Sequence, residues 1–285
     1  MQRAVPGSLQ QPWGQPGNRD WARGEGMDFI TGLWESTSIT IEAAWAVVGL
    51  SAFGLLFLIL TGRARLGKPF TIRPLPAVAR IQAALGRAME TGEEMHVALG
   101  SGRLNDLSVA DTLAGLYLVS YLARRGAVAE VPVRVRVADP TTLAGALAVL
   151  QSGAASAGYP EAFDPGQAEF VAPTPLAYGV GVAEGLQQQP MAANAMVGSF
   201  GPEVLLPGQV GIERGLVQVG GTSAPTMQPL FLGSTEVPLV GEEIYALGAA
   251  LGRREHTGSL ATQDVFRALL AFGILLATVL GWLGI

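Results

Sequence analysis

Two long apolar runs frame the chain. The first covers residues 43–62 and the second covers residues 268–285, and neither contains a charged side chain. A helix needs about 17 to 25 apolar residues to cross the hydrocarbon core of a bilayer. We therefore predict two transmembrane helices, in segments 28–62 and 268–285. A buried core helix is the alternative interpretation of each run.

Basic residues lie near the inner ends of both runs. They include Arg63, Arg65, Lys68, Arg253, Arg254 and Arg267. Positive side chains close to the ends of spans mark the cytoplasmic side of a membrane. We expect residues 63–252 to form a cytoplasmic domain and residues 253–267 to link it to the second span. Both termini are then outside.

Between the two runs, strand and helix patterns alternate. Valine occupies every second position from Val131 to Val137, as in a strand with one buried face. The pattern predicts a long apolar helix at residues 107–125 and a helix at 141–156 that Asp139 caps. It predicts further helices at 77–90, 175–188, 202–213 and 239–251, and further strands at 94–99, 169–172, 193–199, 216–219 and 228–232. The alternation predicts an α/β fold, a Rossmann-like layered domain with a mostly parallel sheet.

The first 27 residues have a different composition. Residues 1–27 contain three prolines, several glycines and glutamines, and two isolated tryptophans, Trp13 and Trp21. Such a segment cannot bury enough apolar surface to fold alone. It is either a disordered tail or a peptide that binds a partner through its tryptophans. Met27 is an alternative natural start of the protein.

The charge content points to an assembly. Residues 63–267 include only 33 charged residues among 205, against about a quarter in typical domains. Residues 63–136 have a net charge of +5, whereas residues 137–252 have a net charge of −9. Large apolar surfaces are typical of interfaces. We predict a homo-oligomer in the lipid bilayer, with other membrane-complex subunits as further possible partners. The overall charge of −5 gives no basic surface for nucleic acid.

The residue inventory excludes several kinds of catalytic site. The chain has no cysteine, and His96, His256 and Lys68 are its only histidines and lysine. A zinc site rich in nitrogen and sulfur ligands cannot form in one chain, and the Gly-Lys-Ser/Thr step of a phosphate-binding loop is absent. We expect no metal site. The sequence identifies neither catalytic residues nor a cofactor. His96 lies in a predicted strand, where it is either a packed core residue or a catalytic base.

Three glycine-containing segments follow predicted strands. They are Gly100, Ser101 and Gly102 with Arg103 next to them, then Gly198 and Ser199, and finally Gly220 and Gly221. Glycine turns at the carboxyl ends of parallel strands let a ligand phosphate approach the backbone. These residues are our candidate ligand-binding site, and ordinary tight turns are the alternative interpretation. Arg134 and Arg136 are candidates to clamp an anion together with Arg103.

The second apolar run contains a row of small residues. Gly273, Ala277 and Gly281 are spaced four apart, which permits close contact between membrane helices. The row packs either on the first span of the same chain or on another subunit.

Two stretches resemble an uncharacterised family of bacterial membrane proteins, described as a domain of unknown function. They are RPLPAVARIQ at residues 73–82 and MHVALGSG at residues 95–102, together with the terminal span. The resemblance implies a protein of the bacterial inner membrane and carries no catalytic residues over. We predict a membrane-anchored scaffold subunit of a homo-oligomeric assembly. The alternative is a membrane-tethered sensor or enzyme that binds a small anion or nucleotide at the glycine turns.

Overall fold

The computed structural model describes residues 41–66, 74–252 and 254–283. The predicted N-terminal tail at 1–27, with Trp13, Trp21 and Met27, lies outside the described residues, as do Lys68 and Arg253. The chain divides into two units, residues 1–54 and residues 55–285.

Helix α1 (Ile41–Arg65) contains the first predicted span. Among the described residues, Ala46–Arg65 is the one segment that is long and apolar enough to cross a membrane, and its apolar window is not buried. Length and composition therefore agree with the first predicted span. The second span and the orientation stay predictions.

A six-stranded sheet forms the centre of the second unit. Its strands are β1 (Glu94–Gly100), β2 (Val133–Val137), β3 (Ala168–Phe170), β4 (Met191–Ser199), β5 (Val217–Thr222) and β6 (Val237–Val240). All neighbouring strands are parallel, and their order is β3-β2-β1-β4-β5-β6. This order is that of the dinucleotide-binding α/β folds. The predicted α/β fold is confirmed, and the sheet is parallel throughout.

Helices cover both faces of the sheet. They are α2 (Pro76–Thr91), α3 (Val109–Ala129), α4 (Pro140–Ala157), α5 (Pro175–Gln188), α6 (Leu205–Glu213), α7 (Gln228–Ser234) and α8 (Glu243–Ala250). Helices α2, α3, α4 and α8 share one apolar core with the strands. Helices α5, α6 and α7 share a smaller core on the opposite face. The side chain of Asp139 accepts hydrogen bonds from the amides of Thr141 and Thr142, so the predicted cap of α4 is confirmed.

Two elements near the end of the domain were predicted wrongly. Residues 228–232, predicted as a strand, begin helix α7, in whose first turn Pro229 lies. Residues 239–251, predicted as one helix, contain the end of β6 and then α8. Short apolar runs fit a buried strand and a buried helix equally well, so the hydrophobic pattern alone could not separate them.

Helix α9 (Arg254–Leu283) runs without a break from residue 254 of the predicted linker into the predicted second span. Leu269, Leu270, Phe272, Ile274 and Leu275 are all exposed on it. Near its start, a Cβ added at Gly258 would lie 2.6 Å from the Cα of Thr61 at the end of α1. The described end of α1 and the start of α9 therefore pack backbone against backbone.

Candidate functional site

The middle of the sheet has a topological switch point. The chain leaves β1 towards β2 on one side and leaves β4 towards β5 on the other. Open parallel sheets bind ligands in the crevice outside the carboxyl ends of the strands at such a point. The candidate site therefore lies where β1 and β4 end, at Gly100 and Ser199.

Gly100 allows these two strand ends to approach closely. Its φ of 76° is in the left-handed region, and a Cβ there would lie 2.0 Å from the carbonyl oxygen of Ser199. The amide of Ser101 donates to that same oxygen over 2.9 Å. A residue with a side chain would separate the loop after β1 from the end of β4.

Hydroxyl groups converge beside the next glycine of the loop. A Cβ added at Gly102 would lie 2.5 Å from Oγ1 of Thr112, 2.8 Å from Cβ of Ser199 and 3.1 Å from Oγ of Ser108. The carbonyl of Gly102 accepts a hydrogen bond of 3.1 Å from Thr142. The structure thus brings together Gly102 and Ser199 from two of the predicted glycine segments.

Three amides at and after the end of β1 already donate within the protein. The Gly100 amide donates to the hydroxyl of buried Tyr178 over 3.1 Å. The Ser101 amide donates to Ser199, and the Arg103 amide donates to Oγ of Ser108 over 2.9 Å. The loop is therefore held closed by its own polar groups, and it differs from the open amide cradle of a dinucleotide site.

Helix α3 packs on the strands through Gly115. A Cβ at this position would lie 2.3 Å from the carbonyl oxygen of Val197 in β4. In dinucleotide-binding folds the third glycine of the loop has this packing role. The sequence has Asn105 at the position of that glycine, and the eight residues between β1 and α3 make the loop longer. Gly115, which the sequence analysis missed, takes over the role.

Asp111 connects three secondary-structure elements at this edge. Its buried carboxylate accepts hydrogen bonds from Thr222 Oγ1 (3.1 Å), Ser223 N (3.0 Å), Ser223 Oγ (3.0 Å) and the Tyr245 hydroxyl (2.7 Å). It therefore ties the first turn of α3 to the end of β5 and to α8. Asp111 was not among the residues predicted from the sequence, although one acidic residue at the start of a strongly apolar helix was a signal for it.

The edge is acidic. Glu203 is buried, and its carboxylate accepts a hydrogen bond of 2.8 Å from the amide of Gly201. Hydrogen bonds from Ser108 lower the pKa of exposed Asp106. Burial opposes the charged form of Asp139, but hydrogen bonds from the cap of α4 lower its pKa overall. Together with Asp111, these residues provide four carboxylates against the single positive charge of Arg103. The Nε atom of Arg103 lies 3.7 Å from Oδ1 of Asp139. The electrostatics therefore disfavour an anion here.

The other predicted glycines occupy different places. Gly198 lies within β4, and a Cβ on it would be 2.1 Å from the carbonyl oxygen of Leu99. Gly220 and Gly221 were predicted to lie in a turn after a strand, but they lie inside β5. They are paired with Met196 and Val197 of β4. Gly220 and Gly221 thus contribute to the close packing of the sheet, and β5 ends at Thr222.

The three predicted clamp arginines have separate acidic partners. Arg103 pairs with Asp139, as described above. Arg134 donates to both carboxylate oxygens of Glu94 over 2.8 and 3.1 Å. Arg136, almost fully buried, pairs with Glu169 over 3.2 Å. The structure therefore does not assemble these arginines into one anion clamp.

His96 belongs to a buried polar chain that crosses three strands. Its Nδ1 lies 2.9 Å from Oδ1 of Asn194, whose Nδ2 donates to Gln218 over 3.0 Å. Gln218 donates in turn to the carbonyl of Gly208 over 2.9 Å. That carbonyl can only accept, so the Gln218 amide nitrogen faces it and the Gln218 oxygen faces Asn194. Asn194 therefore donates to Gln218 and turns its own oxygen towards His96. The Nδ1 atom of His96 must then carry the proton. His96 is thus a neutral donor within the core.

The environment of His96 keeps it neutral. Burial and the nearby Arg136 guanidinium lower the pKa of His96 to about 3. Within the described part of the chain, His96 Nε2 and Arg136 Nη1 are both buried without a hydrogen-bond partner. The neutral imidazole therefore presents an acceptor on the sheet face where the guanidinium presents a donor. This arrangement favours the packed-core interpretation of His96.

The small-residue row lies on the exposed part of α9. A Cβ added at Gly273 or at Gly281 would meet nothing within 4 Å. The side chain of Ala277 lies outside the described residues. Packing of this row on the first span or on another subunit therefore stays a prediction.

The outer surface of α5, α6 and α7 is unusually apolar. These helices have 14, 9 and 7 residues, and Glu184 and Glu213 are their only charged side chains. Six large aliphatic side chains are exposed on them: Leu176, Val180, Leu205, Leu206, Ile212 and Leu232. We call these six residues the α5–α7 outer surface. Exposed apolar surface of this kind is typical of an interaction site.

Together, these features define an α/β domain with a parallel sheet, attached to a helix that has the length and composition of a membrane span. Residues 35–285 match the family model described as a domain of unknown function (DUF6754), so the chain belongs to that family. No curated protein matches the chain significantly, and no solved structure does. The predicted resemblance to such a family is confirmed at this level. Its bacterial origin and two spans stay predictions.

Proposed function

We propose that this chain is a membrane-anchored scaffold subunit of a homo-oligomeric assembly. The observation that carries the proposal is the α5–α7 outer surface. Burying a Leu, Ile or Val side chain stabilises by roughly 1.5–3 kcal/mol, so a half-exposed one contributes about 1 kcal/mol. Six side chains from each of two copies then contribute about 12 kcal/mol, which is comparable with the cost of association.

The chemistry of this surface favours a second copy over the bilayer. Anionic lipid headgroups attract lysine and arginine. The only charged side chains of the three helices are Glu184 and Glu213, which such headgroups would repel. A symmetric contact between two copies places apolar surface against apolar surface and leaves the glutamates at its rim.

The anchoring part of the proposal rests on α1 and α9. Arg63 and Arg65 lie in the last turn of α1, directly after its apolar stretch. In α9, a run of exposed apolar side chains follows Arg267. With positive residues on the cytoplasmic side, two spans place the α/β domain in the cytoplasm and both termini outside. The compartment that we propose is the bacterial inner membrane.

The test compares two valine variants of the full chain in mild detergent. Val180 of the α5–α7 outer surface is 52% exposed, and Val128 on α3 is 59% exposed. In size-exclusion chromatography we expect Val180→Asp to elute as a smaller particle than wild type, because it puts an unpaired charge into the interface. Val128→Asp is the matched control and keeps the wild-type elution. Equal elution of Val180→Asp and wild type would remove this surface from the proposal.

A second candidate function is small-ligand binding at the crevice between β1 and β4. The observation that favours it is the strand order, which creates a switch point beside the hydroxyls of Ser108, Thr112 and Ser199. We place it second because three amides at the end of β1 already donate within the protein and the edge is acidic. Thermal-shift screening with nucleotides and phosphorylated metabolites tests it. A rise in melting temperature that Ser199→Ala abolishes would support it, and no rise with any of them would dismiss it.

A further inference from the structure

A cavity of about 350 Å³ opens at the opposite edge of the sheet, where β2 begins. It lies between the last turns of α3 and α4 and the segment that precedes β3. Ala123, Ala127, Leu150 and Ala154 are among the side chains that form its apolar wall. Its volume and mainly apolar wall are those of a small-molecule site.

The polar groups of this cavity come from four residues. They are Glu130, Tyr159, Glu161 and Gln167. None of the thirteen residues that line the cavity is basic. Two glutamates and a tyrosine in the lining of one cavity are suited to a positively charged group, which the carboxylates attract and the ring can stack against.

Two helices add to the negative potential of the cavity. Helix α3 ends at Ala129 and helix α4 ends at Ala157, and residues from the last two turns of each line the cavity. The carboxyl end of a helix has a partial negative charge, which favours a cation within the last turn. This contribution comes from the backbone and is independent of the two glutamates.

Glu130 stands where a glycine is usual. It caps α3 with φ 56° and ψ 29°, the left-handed conformation. The corresponding caps of α2 and α4 are Gly92 and Gly158. Among the described residues, Glu130 is the only residue other than glycine with a positive φ. The chain thus tolerates backbone strain at a helix cap that lines this cavity.

We propose that this cavity binds a small organic cation, a protonated amine or guanidinium attached to a short apolar chain. The apolar wall takes the chain, and Glu130, Glu161 and the two helix ends hold the charged head. A divalent metal fits less well, because no three Asp, Glu or His side chains converge as ligands in the described ranges. The site is separate from the α5–α7 outer surface and goes beyond the assembly function.

Isothermal titration of the full chain in a non-ionic detergent tests the proposal. The probes are agmatine and n-butylamine, with n-butanol and butyrate as neutral and anionic counterparts of matched size. We expect saturable one-to-one binding of the two amines and none of butanol or butyrate. If butanol binds as tightly as butylamine, or if neither amine binds, the proposal is wrong.

Variants of Glu130 separate binding from folding. Glu130→Gln should weaken the binding of agmatine at least tenfold, because one of the two carboxylates is lost. Glu130→Gly should weaken it equally while raising the melting temperature, because glycine relieves the left-handed strain. Glu184→Gln, an exposed glutamate of α5, is the control and keeps wild-type affinity. Wild-type affinity in both Glu130 variants would overturn the assignment.

Discussion

Between pH 7 and pH 5 we expect the domain to lose about 2 kcal/mol of its free energy of unfolding through His96 alone. The pKa of this residue is about 3 in the folded protein and about 6.5 when the chain is unfolded. The unfolded chain therefore binds a proton that the folded protein excludes. Stability contributed in this way is complete above pH 6.5 and is lost as the pH falls towards 3.

The magnitude follows from the two pKa values. At pH 5 the imidazole is almost fully protonated in the unfolded chain and neutral in the folded protein. Between pH 7 and pH 5 the unfolding equilibrium constant therefore rises by roughly 1.4 powers of ten, which corresponds to about 2 kcal/mol. His96→Gln keeps an N–H donor for Asn194 and removes the titration. Its unfolding free energy should therefore fall about 2 kcal/mol less than that of wild type over the same pH range.

The assay must report on the domain itself. All five tryptophans lie outside residues 63–252, so tryptophan fluorescence does not follow its unfolding. Urea unfolding of the full chain in mild detergent, followed by far-ultraviolet circular dichroism, measures the free energy at each pH. Parallel curves for wild type and His96→Gln between pH 7 and pH 5 would refute the view that His96 is held neutral in the core.

Three further predictions concern packing and topology. Asp111→Ala should destabilise the domain by roughly 3 kcal/mol in the same urea assay, because Thr222, Ser223 and Tyr245 lose their acceptor. A change below about 0.5 kcal/mol would contradict the view that Asp111 holds α3, β5 and α8 together. Gly115→Ala should cost about 1–3 kcal/mol, since its Cβ would overlap the backbone of β4, and an unchanged urea midpoint would count against close packing there. Ser152→Cys, in a chain without other cysteines, should be shielded from an impermeant maleimide in intact cells, whereas labelling there would reverse the proposed orientation.

The sequence predicted the layered part of the fold well where periodicity was strong. Alternating valines marked β2, and Asp139 before Pro140 marked the start of α4. These signals are local, since an alternating strand pattern and a capped helix start both follow from neighbouring residues. The end of the domain lacked such signals. The short apolar run at β6 and the proline-led α7 could be assigned only once their tertiary neighbours were known.

The candidate site was less predictable than the fold. Glycines were visible in the sequence, but whether they form a turn or lie in a strand depends on strand register, and Gly220 and Gly221 proved to lie inside β5. The role of Asp111 depends on partners more than a hundred residues away in the chain. Contacts of that range arise from topology, which the spacing of residues in one segment does not contain.

The most direct test of the assembly proposal is the number of subunits in the native particle. Native mass spectrometry of the full wild-type chain, released from mild detergent at micromolar concentration, measures it. The proposal predicts a defined mass of two or more copies, with Val180→Asp shifted towards one copy. A single copy of the wild-type chain under these conditions would contradict it.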